Sequence, residues 1–380
     1  MTYVSVEWLG WLAGTTALFW ACPARLRFQA LALITLVFLV VKSPPSALVL
    51  LLLTLLTATL TRGTRLEGRQ TLIALAPAAA SLVFFKLLSS AESEDLLRGT
   101  LIPLGLSFYT LRCMHYVLER YMGRIEQKPL PDLAEYLFFL PTIFIGPIHR
   151  YPAFDRERRR HRWDAGLFSD GLERILYGYV KITVIGNFLI AQVYLDWVPG
   201  AAEPATSLDA YLAMLGIGFG LYMQFSGASD VAIGFARLLG IRVMENFDWP
   251  FLSTSLPQFW QRWHISLTSW AREYVFAGVT SLTRSPALSA IATMVVIGLW
   301  HEMSLRYLLW GLYHGLGIAV WQRVARRWPP APQEPAALGV LRRVFGWLLT
   351  LHFVMLGFLL VRQPDLASML GVLRLLVMGG

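Results

Sequence analysis

Two histidines carry the clearest chemical potential in this chain: His264, in Trp260-Gln-Arg-Trp-His-Ile-Ser266, and His301, in Gly298-Leu-Trp-His-Glu302. Imidazole is the side chain whose unperturbed pKa puts its charge change near neutral pH, so it suits the removal of a proton from a hydroxyl. Near a membrane interior such a group is costly unless paired or hydrated, and it marks a functional site by default. The pair stands 37 residues apart, which calls for a site assembled from separate segments.

The elements that must position them are membrane helices. The 380 residues are 56% hydrophobic and 15% charged, with a mean hydropathy of +0.53, against roughly 25% charge in a soluble domain. Apolar runs recur along the whole length, long enough for a hydrocarbon core that takes about 20 helical residues. They lack the period-2 alternation of an outer-membrane barrel, so the fold class is an all-α integral membrane bundle. Glu7 and the lack of a basic leader argue for a retained first helix rather than a cleaved signal peptide. Cys22 and Cys113 lie in or beside apolar runs and provide neither a disulfide framework nor a cysteine metal site. The net charge of +9 is carried by short Arg-rich loops, which fits the positive-inside bias and anionic lipid, and no nucleic-acid partner is implied.

Spans are predicted near 8–22, 27–42, 46–61, 70–90, 101–119, 171–194, 209–226, 286–302, 306–325, 344–362 and 366–378. Arg25 and Arg27, then Arg62, Arg65 and Arg69, then Arg120, Arg124 and Lys128 mark cytoplasmic turns, whereas Lys42-Ser-Pro-Pro, Ala91-Glu-Ser-Glu-Asp95 and the loop with Asp196, Glu203 and Asp209 face out. This alternation puts the N-terminus outside. Tyr136–Ile148 is short, interrupted by Pro141, Gly146 and Pro147, and followed by the basic run Asp155–Arg162; a re-entrant or broken segment accounts for both. Residues 251–276 mix Arg262, Arg272 and Glu273 with aromatics and read as a cytoplasm-facing re-entrant or interfacial helix pair. The stretch Arg323–Arg343 reads as a cytoplasmic loop around the linker Pro329–Pro335. The whole, residues 1–380, is expected to be one domain of about ten or eleven helices with re-entrant segments around a central passage. Loop counting puts His264 on the cytoplasmic side and His301 near the outer end of its helix, at different depths.

Phe225-Ser-Gly-Ala-Ser-Asp230, Glu245-Asn-Phe-Asp-Trp-Pro250, Phe259–Phe276, Gly298-Leu-Trp-His301 and Trp310-Gly-Leu-Tyr-His-Gly315 resemble the successive signatures of the membrane-bound O-acyltransferases, MBOAT. Leu104-Gly-Leu-Ser-Phe-Tyr109 and Phe144-Ile-Gly-Pro-Ile-His-Arg-Tyr151 precede them in the expected order, so the resemblance spans roughly 80–362. Within the family the chain is most similar to the bacterial polysaccharide branch, the alginate O-acetylation membrane subunit and the teichoic-acid D-alanyl transfer protein. The resemblance implies a multi-pass protein of the inner (cytoplasmic) membrane. Its activity would be transfer of a small acyl group, acetyl or D-alanyl, from a thioester to a hydroxyl. It places the principal catalytic histidine at His301 and the second at His264. Donor candidates are acetyl-CoA and an acylated phosphopantetheine carrier protein on the cytoplasmic side; the acceptor is an exported polysaccharide or a relay protein outside, and membrane lipid surrounds the chain.

Arg150, Arg262, Arg272 and Lys181 are placed to attract a phosphorylated donor. Trp263, Asn246, Trp300 and His314 complete the candidate substrate contacts, His314 also fitting a structural hydrogen-bonding role. His149 could touch a donor phosphate or belong to a solvated loop. The family commonly has an acid where this chain has Gln224, which leaves Ser226 and Asp230 as the nearest polar candidates. His301-Glu302 is followed by Met303-Ser304-Leu305 rather than a second histidine, so no metal and no bound cofactor are implied. Three other readings stay open at this point: a ping-pong route through a covalent acyl-enzyme, a non-catalytic transporter of an acyl carrier or sugar, and a long-chain lipid or protein acyltransferase of the same family.

Overall fold

A computed structural model describes residues 5–63, 65–90, 103–198, 206–329, 335–363 and 365–378. The acidic loop Ala91–Asp95, Glu203 and most of the linker Pro329–Pro335 lie outside them. Among the described residues the structure is helical, with a single isolated bridge between Phe247 and Trp263. Two compact units interleave along the chain, Met1–Tyr179 with Ala228–Met244, and Val180–Gly227 with Glu245–Gly380.

The first unit contains α1 (Val6–Ala21), α2 (Arg27–Lys42), α3 (Pro44–Leu60), α4 (Gly68–Ser90), α5 (Leu106–Tyr121), α6 (Leu130–Leu137), α7 (Tyr151–Arg160) and α8 (Ala165–Tyr179). Local rules explain the boundaries. Ser43 ends α2 and Pro44 opens α3, where a missing N–H costs nothing, and the Ser43 and Ser46 hydroxyls bond at 2.6 Å. Inside α3 the Thr54 hydroxyl returns to the Leu50 carbonyl at 2.7 Å, so a polar group on an apolar helix needs no outside partner. The broken segment expected after Tyr136 is present: α6 stops at Leu137, a 3-10 turn covers Leu140–Thr142, and irregular backbone continues to Arg150. Phe139, Leu140, Ile143 and Ile148 are fully buried there. Irregular backbone at such depth must find protein partners, and the Arg112 guanidinium reaches in to the Thr142 carbonyl and, at 2.7 Å, to its hydroxyl. Tyr136 donates its O–H to the His149 carbonyl at 2.8 Å, and Thr142 Oγ1 meets His149 Nδ1 at 2.9 Å. His149 is therefore buried and bonded within the broken segment, not part of a solvated loop. The basic run is also less free than expected, because Arg158 contacts Asp132, Glu135 and Asp155 together.

In the second unit a π-helical stretch, Val180–Tyr194, carries α8 onward, followed by a last turn at Leu195–Trp197. Next come α9 (Ser207–Leu238), which from Ala228 on belongs to the first unit, and then α10 (Leu256–Arg262), α11 (Ile265–Ala271), a π turn Arg272–Phe276, α12 (Ala277–Thr283), α13 (Pro286–His301), α14 (Leu305–Arg327), α15 (Ala336–Arg362) and α16 (Leu366–Met378). Gln224 stands beside the π winding, donating to Asn187 Oδ1 at 2.5 Å and to the Ile182 carbonyl at 3.4 Å. Among the described residues, Ala24–Lys42, Gly68–Ser89, Ala165–Trp197, Ser207–Leu238 and Ala336–Arg362 are long and apolar enough to cross a membrane.

Two expected boundaries shift most. The span near 209–226 continues to Leu238, past Asp230, because that carboxylate is paired with Arg174 at 2.6 Å within the first unit and no longer acts as a polar stop. The loop Arg323–Arg343 shrinks from both ends, since α14 runs to Arg327 and α15 starts at Ala336, which makes Arg342 and Arg343 helical.

Candidate active site

His264 occupies the corner between α10 and α11. Ser255 caps α10 by accepting from the Gln258 N–H, and the helix ends where Trp263 turns extended. His264 then adopts φ 47°, ψ 51°, a left-handed conformation that a non-glycine residue holds only when its surroundings impose it. Those surroundings come from the segment before α10. The Asn246 carbonyl accepts from Ile265 N at 2.9 Å, its side-chain oxygen accepts from the Ser266 N–H at 3.3 Å and the Ser266 hydroxyl at 2.9 Å, and Asp248 N donates to the Arg262 carbonyl at 2.9 Å. Both sides of the histidine are thus pinned by one strap, and its ring faces inward at 2% exposure. Phe225 meets the ring edge-on at 4.7 Å, and neither ring nitrogen has a hydrogen-bond partner. Burial holds this imidazole well below its usual pKa, and the charge of nearby His301 pushes the same way.

His301 is the last residue of α13. The turn Glu302–Ser304 reverses the chain at once, with the Glu302 N–H returning to the Gly298 carbonyl at 3.1 Å and the Ser304 hydroxyl capping α14. α13 and α14 then pack backbone to backbone. A Cβ on Gly298 would lie 2.3 Å from the Tyr307 carbonyl oxygen, and one on Gly311 would lie 2.6 Å from that of Met294. Glycine is required here because no side chain fits. Beside the turn, Glu302 binds Arg306 through both oxygens, at 3.0 and 2.9 Å, and Arg306 reaches on to the Gln363 carbonyl.

These two devices bring the histidines together. Trp300 lies 5.9 Å from the His264 ring and 4.9 Å from the His301 ring, so one indole separates them. The expected difference in depth gives way to close neighbourhood, because α11 packs against α13 and turns the His264 corner toward the end of that helix. Tyr307 stacks on His301 at 5.8 Å and Trp310 meets it edge-on at 5.8 Å; Trp310 in turn touches His314 at 4.7 Å. Histidine and tryptophan therefore alternate from His264 to His314. A cavity of about 210 Å³ borders Trp260, Ile265, Arg272 and Ile297 on the His264 side. A second, of about 390 Å³, borders Tyr307, Gln224, Phe358 and Arg362 on the His301 side.

The remaining expected site residues are not all brought together. Trp300 and His314 belong to the histidine row, and Arg272 stands exposed at the first cavity. Ser226 follows Phe225 on α9 as a fully buried hydroxyl without a partner. Asn246 and Trp263, expected to touch substrate, are framework instead: Asn246 holds the corner, and Trp263 is buried among six aromatic rings, including Phe259 at 5.5 Å and Phe358 at 5.0 Å. Arg262 faces Asp248 at 4.0 Å on the surface. Asp230 and Arg150 belong to the first unit, where Asp230 binds Arg174 and the Arg150 guanidinium lies 3.5 Å from His115 Nδ1. Sequence reasoning passed over Tyr307 and Trp310. Their signal was readable: Tyr307, Trp310 and His314 fall at i, i+3 and i+7, one stripe of α14.

The sequence profile of MBOAT, the membrane-bound O-acyltransferase family, matches residues 106–359 and so takes in both histidines and the row between them. The chain belongs to this family. Among its relatives, the "Probable alginate O-acetylase AlgI" of Pseudomonas fluorescens is 32% identical over 74% of this chain and 55% of its own length. The "Teichoic acid D-alanyltransferase" of Bacillus subtilis is 30% identical over 68% of this chain and 67% of its own. The "Peptidoglycan O-acetyltransferase" of Helicobacter pylori is 24% identical over 77% and 60%. The chain spans about half the length of the alginate relatives. The MBOAT profile crosses both compact units.

Proposed function

We propose that this MBOAT protein is an acyltransferase of the cytoplasmic membrane that moves a small acyl group, acetyl or D-alanyl, from a thioester to a hydroxyl. The acceptor is a cell-envelope or exported polysaccharide, or a partner protein that passes the group on. The observation that carries this reading is the histidine pair joined across Trp300, with one cavity bordered by Ile265, next to His264, and another bordered by Tyr307, which stacks on His301. In this mechanism His301 takes the proton from the acceptor hydroxyl as its oxygen attacks the thioester carbonyl. The carbon–sulfur bond breaks, and the proton leaves with the thiol. His264, kept neutral by burial, retains one N–H and one lone pair, so it can donate to the carbonyl oxygen as negative charge develops there. The donor, acetyl-CoA or an acylated phosphopantetheine carrier protein, approaches from the cytoplasm past the 210 Å³ cavity, where the cationic Arg272 suits its phosphate. The acceptor or relay protein meets His301 from the opposite side. Relatives named for alginate, teichoic acid and peptidoglycan support a polysaccharide acceptor.

The test is a donor competition in proteoliposomes with acetyl-CoA, a D-alanyl carrier protein and palmitoyl-CoA. Short-chain ester formation that vanishes in His301→Ala is expected. Preference for the palmitoyl donor, or substrate movement without ester formation, would overturn the reading.

A further inference from the structure

The largest cavity described in the molecule lies away from the histidines. It is a groove of about 560 Å³ between the C-terminal half of α14 and the N-terminal half of α15, which pack against each other. Its floor is the turn Thr254–Leu256, its walls include Trp321 and Trp328, and Arg342 and Arg343 stand at one end.

Three properties together define what it suits. The first is charge: neither α14 nor α15 contains an acidic residue, whereas Arg323, Arg326, Arg327, Arg342 and Arg343 gather at the same end of the helix pair. The second is an apolar wall open to the surroundings, with Val320 at 61% and Leu349 at 60% exposure on the lining. α15 is one of the helices able to cross a membrane, so this wall faces hydrocarbon and a groove along it takes up an acyl chain. The third is the pair Trp321 and Trp328 next to the arginines, the residue types that settle at the headgroup level. An apolar slot ending in tryptophan and arginine matches a phospholipid that bears net negative charge.

We infer that the groove between α14 and α15 is a binding site for an anionic phospholipid, whose phosphate meets Arg342 and Arg343 while one acyl chain lies along Val320 and Leu349. The lipid rests on the turn that begins α10. Trp347 of α15 donates to the Phe251 carbonyl at 2.8 Å, and a Cβ on Gly346 would lie 2.6 Å from the Thr254 carbonyl oxygen, so α15 and that turn are in firm contact. Ser255 in the same turn caps the helix that leads to His264. Lipid in the groove therefore supports the strap from outside without touching the histidines.

The experiment counts lipid bound to the purified full chain by native mass spectrometry, titrating phosphatidylglycerol and phosphatidylcholine of identical chains. Wild type should retain phosphatidylglycerol several-fold better. The double variant Arg342→Gln, Arg343→Gln should lower that retention about 25-fold, each arginine near a headgroup being worth roughly fivefold, whereas Arg65→Gln, Arg69→Gln should leave it unchanged. Val320→Trp, which fills the groove and keeps every charge, should also release the lipid. Equal retention of the two lipids, or an arginine variant that binds like wild type, overturns the site. Loss with the arginine variant but not with Val320→Trp would assign the arginines to a soluble acidic partner and overturn it equally.

Discussion

Each unit buries histidines in a break between helices, and the two breaks are built in opposite ways. In the first unit His115 accepts from the Tyr151 N–H at 3.0 Å and His149 is held by Thr142 at 2.9 Å, so each ring has a nitrogen committed to the backbone or side chains of the broken segment. In the second unit His264 has neither nitrogen engaged, and instead its backbone is fixed by Asn246 in a left-handed turn. The first arrangement uses imidazole to satisfy a fold. The second spends the fold's hydrogen bonds on the neighbours and leaves the imidazole open, at a free-energy cost that a ligand can recover.

The largest effect that tests this contrast is on chemistry. His301→Ala should lower acyl transfer about 10³-fold at unchanged protein yield, and a variant retaining a tenth of wild-type turnover would contradict the assignment. The counterpart in the first unit is Arg112→Met, which strips the irregular segment of its guanidinium partner. About 3 kcal/mol of stability should be lost, with turnover per folded molecule near wild type. If turnover collapses while denaturation is unchanged, the first unit's break is not structural.

His264→Gln should reduce turnover about 30-fold and should also alter the pH dependence of stability. The folded-state pKa of His264 is lowered, so below the usual value near 6.5 the unfolded chain binds more protons than the folded one. The stability due to this group is therefore complete above about pH 6.5 and declines as pH falls toward the lowered value. Thermal unfolding from pH 7.5 to 5 should show that decline in wild type and a shallower one in His264→Gln. An identical slope in both would sink the claim. The smallest effect belongs to Asn246→Ala, which removes the acceptor of two hydrogen bonds and should cost about 1–2 kcal/mol. Its kcat should fall more than its KM rises, because the His264 corner loosens without losing a substrate contact.

Much of the helical layout was legible in the apolar runs. α1, α2, α3 and α13 begin and end within two residues of the predicted spans, because Pro, Ser and charged residues sit at their ends. Two boundaries misled: the span near 209–226 was ended too early, and Arg342 was read as loop, because the sequence does not reveal that Arg174 answers Asp230 or that arginine can lie on a helix at its rim. The two histidines stood out in the sequence, but their closeness did not, since α11 turning against α13 is a tertiary contact without a local signal. The left-handed backbone of His264 was equally silent. No glycine announces it, and only the strap from Asn246 imposes it.

The glycine seam between α13 and α14 leaves His301 little room to drift. Where backbone meets backbone, sliding one helix by a fraction of a residue forces atoms to overlap, and there is no flexible side chain to absorb the shift. His301, at the end of that seam, has discrete positions rather than a continuum. An inhibitor or lesion that parts the two helices should switch the protein off in a step, with no intermediate setting.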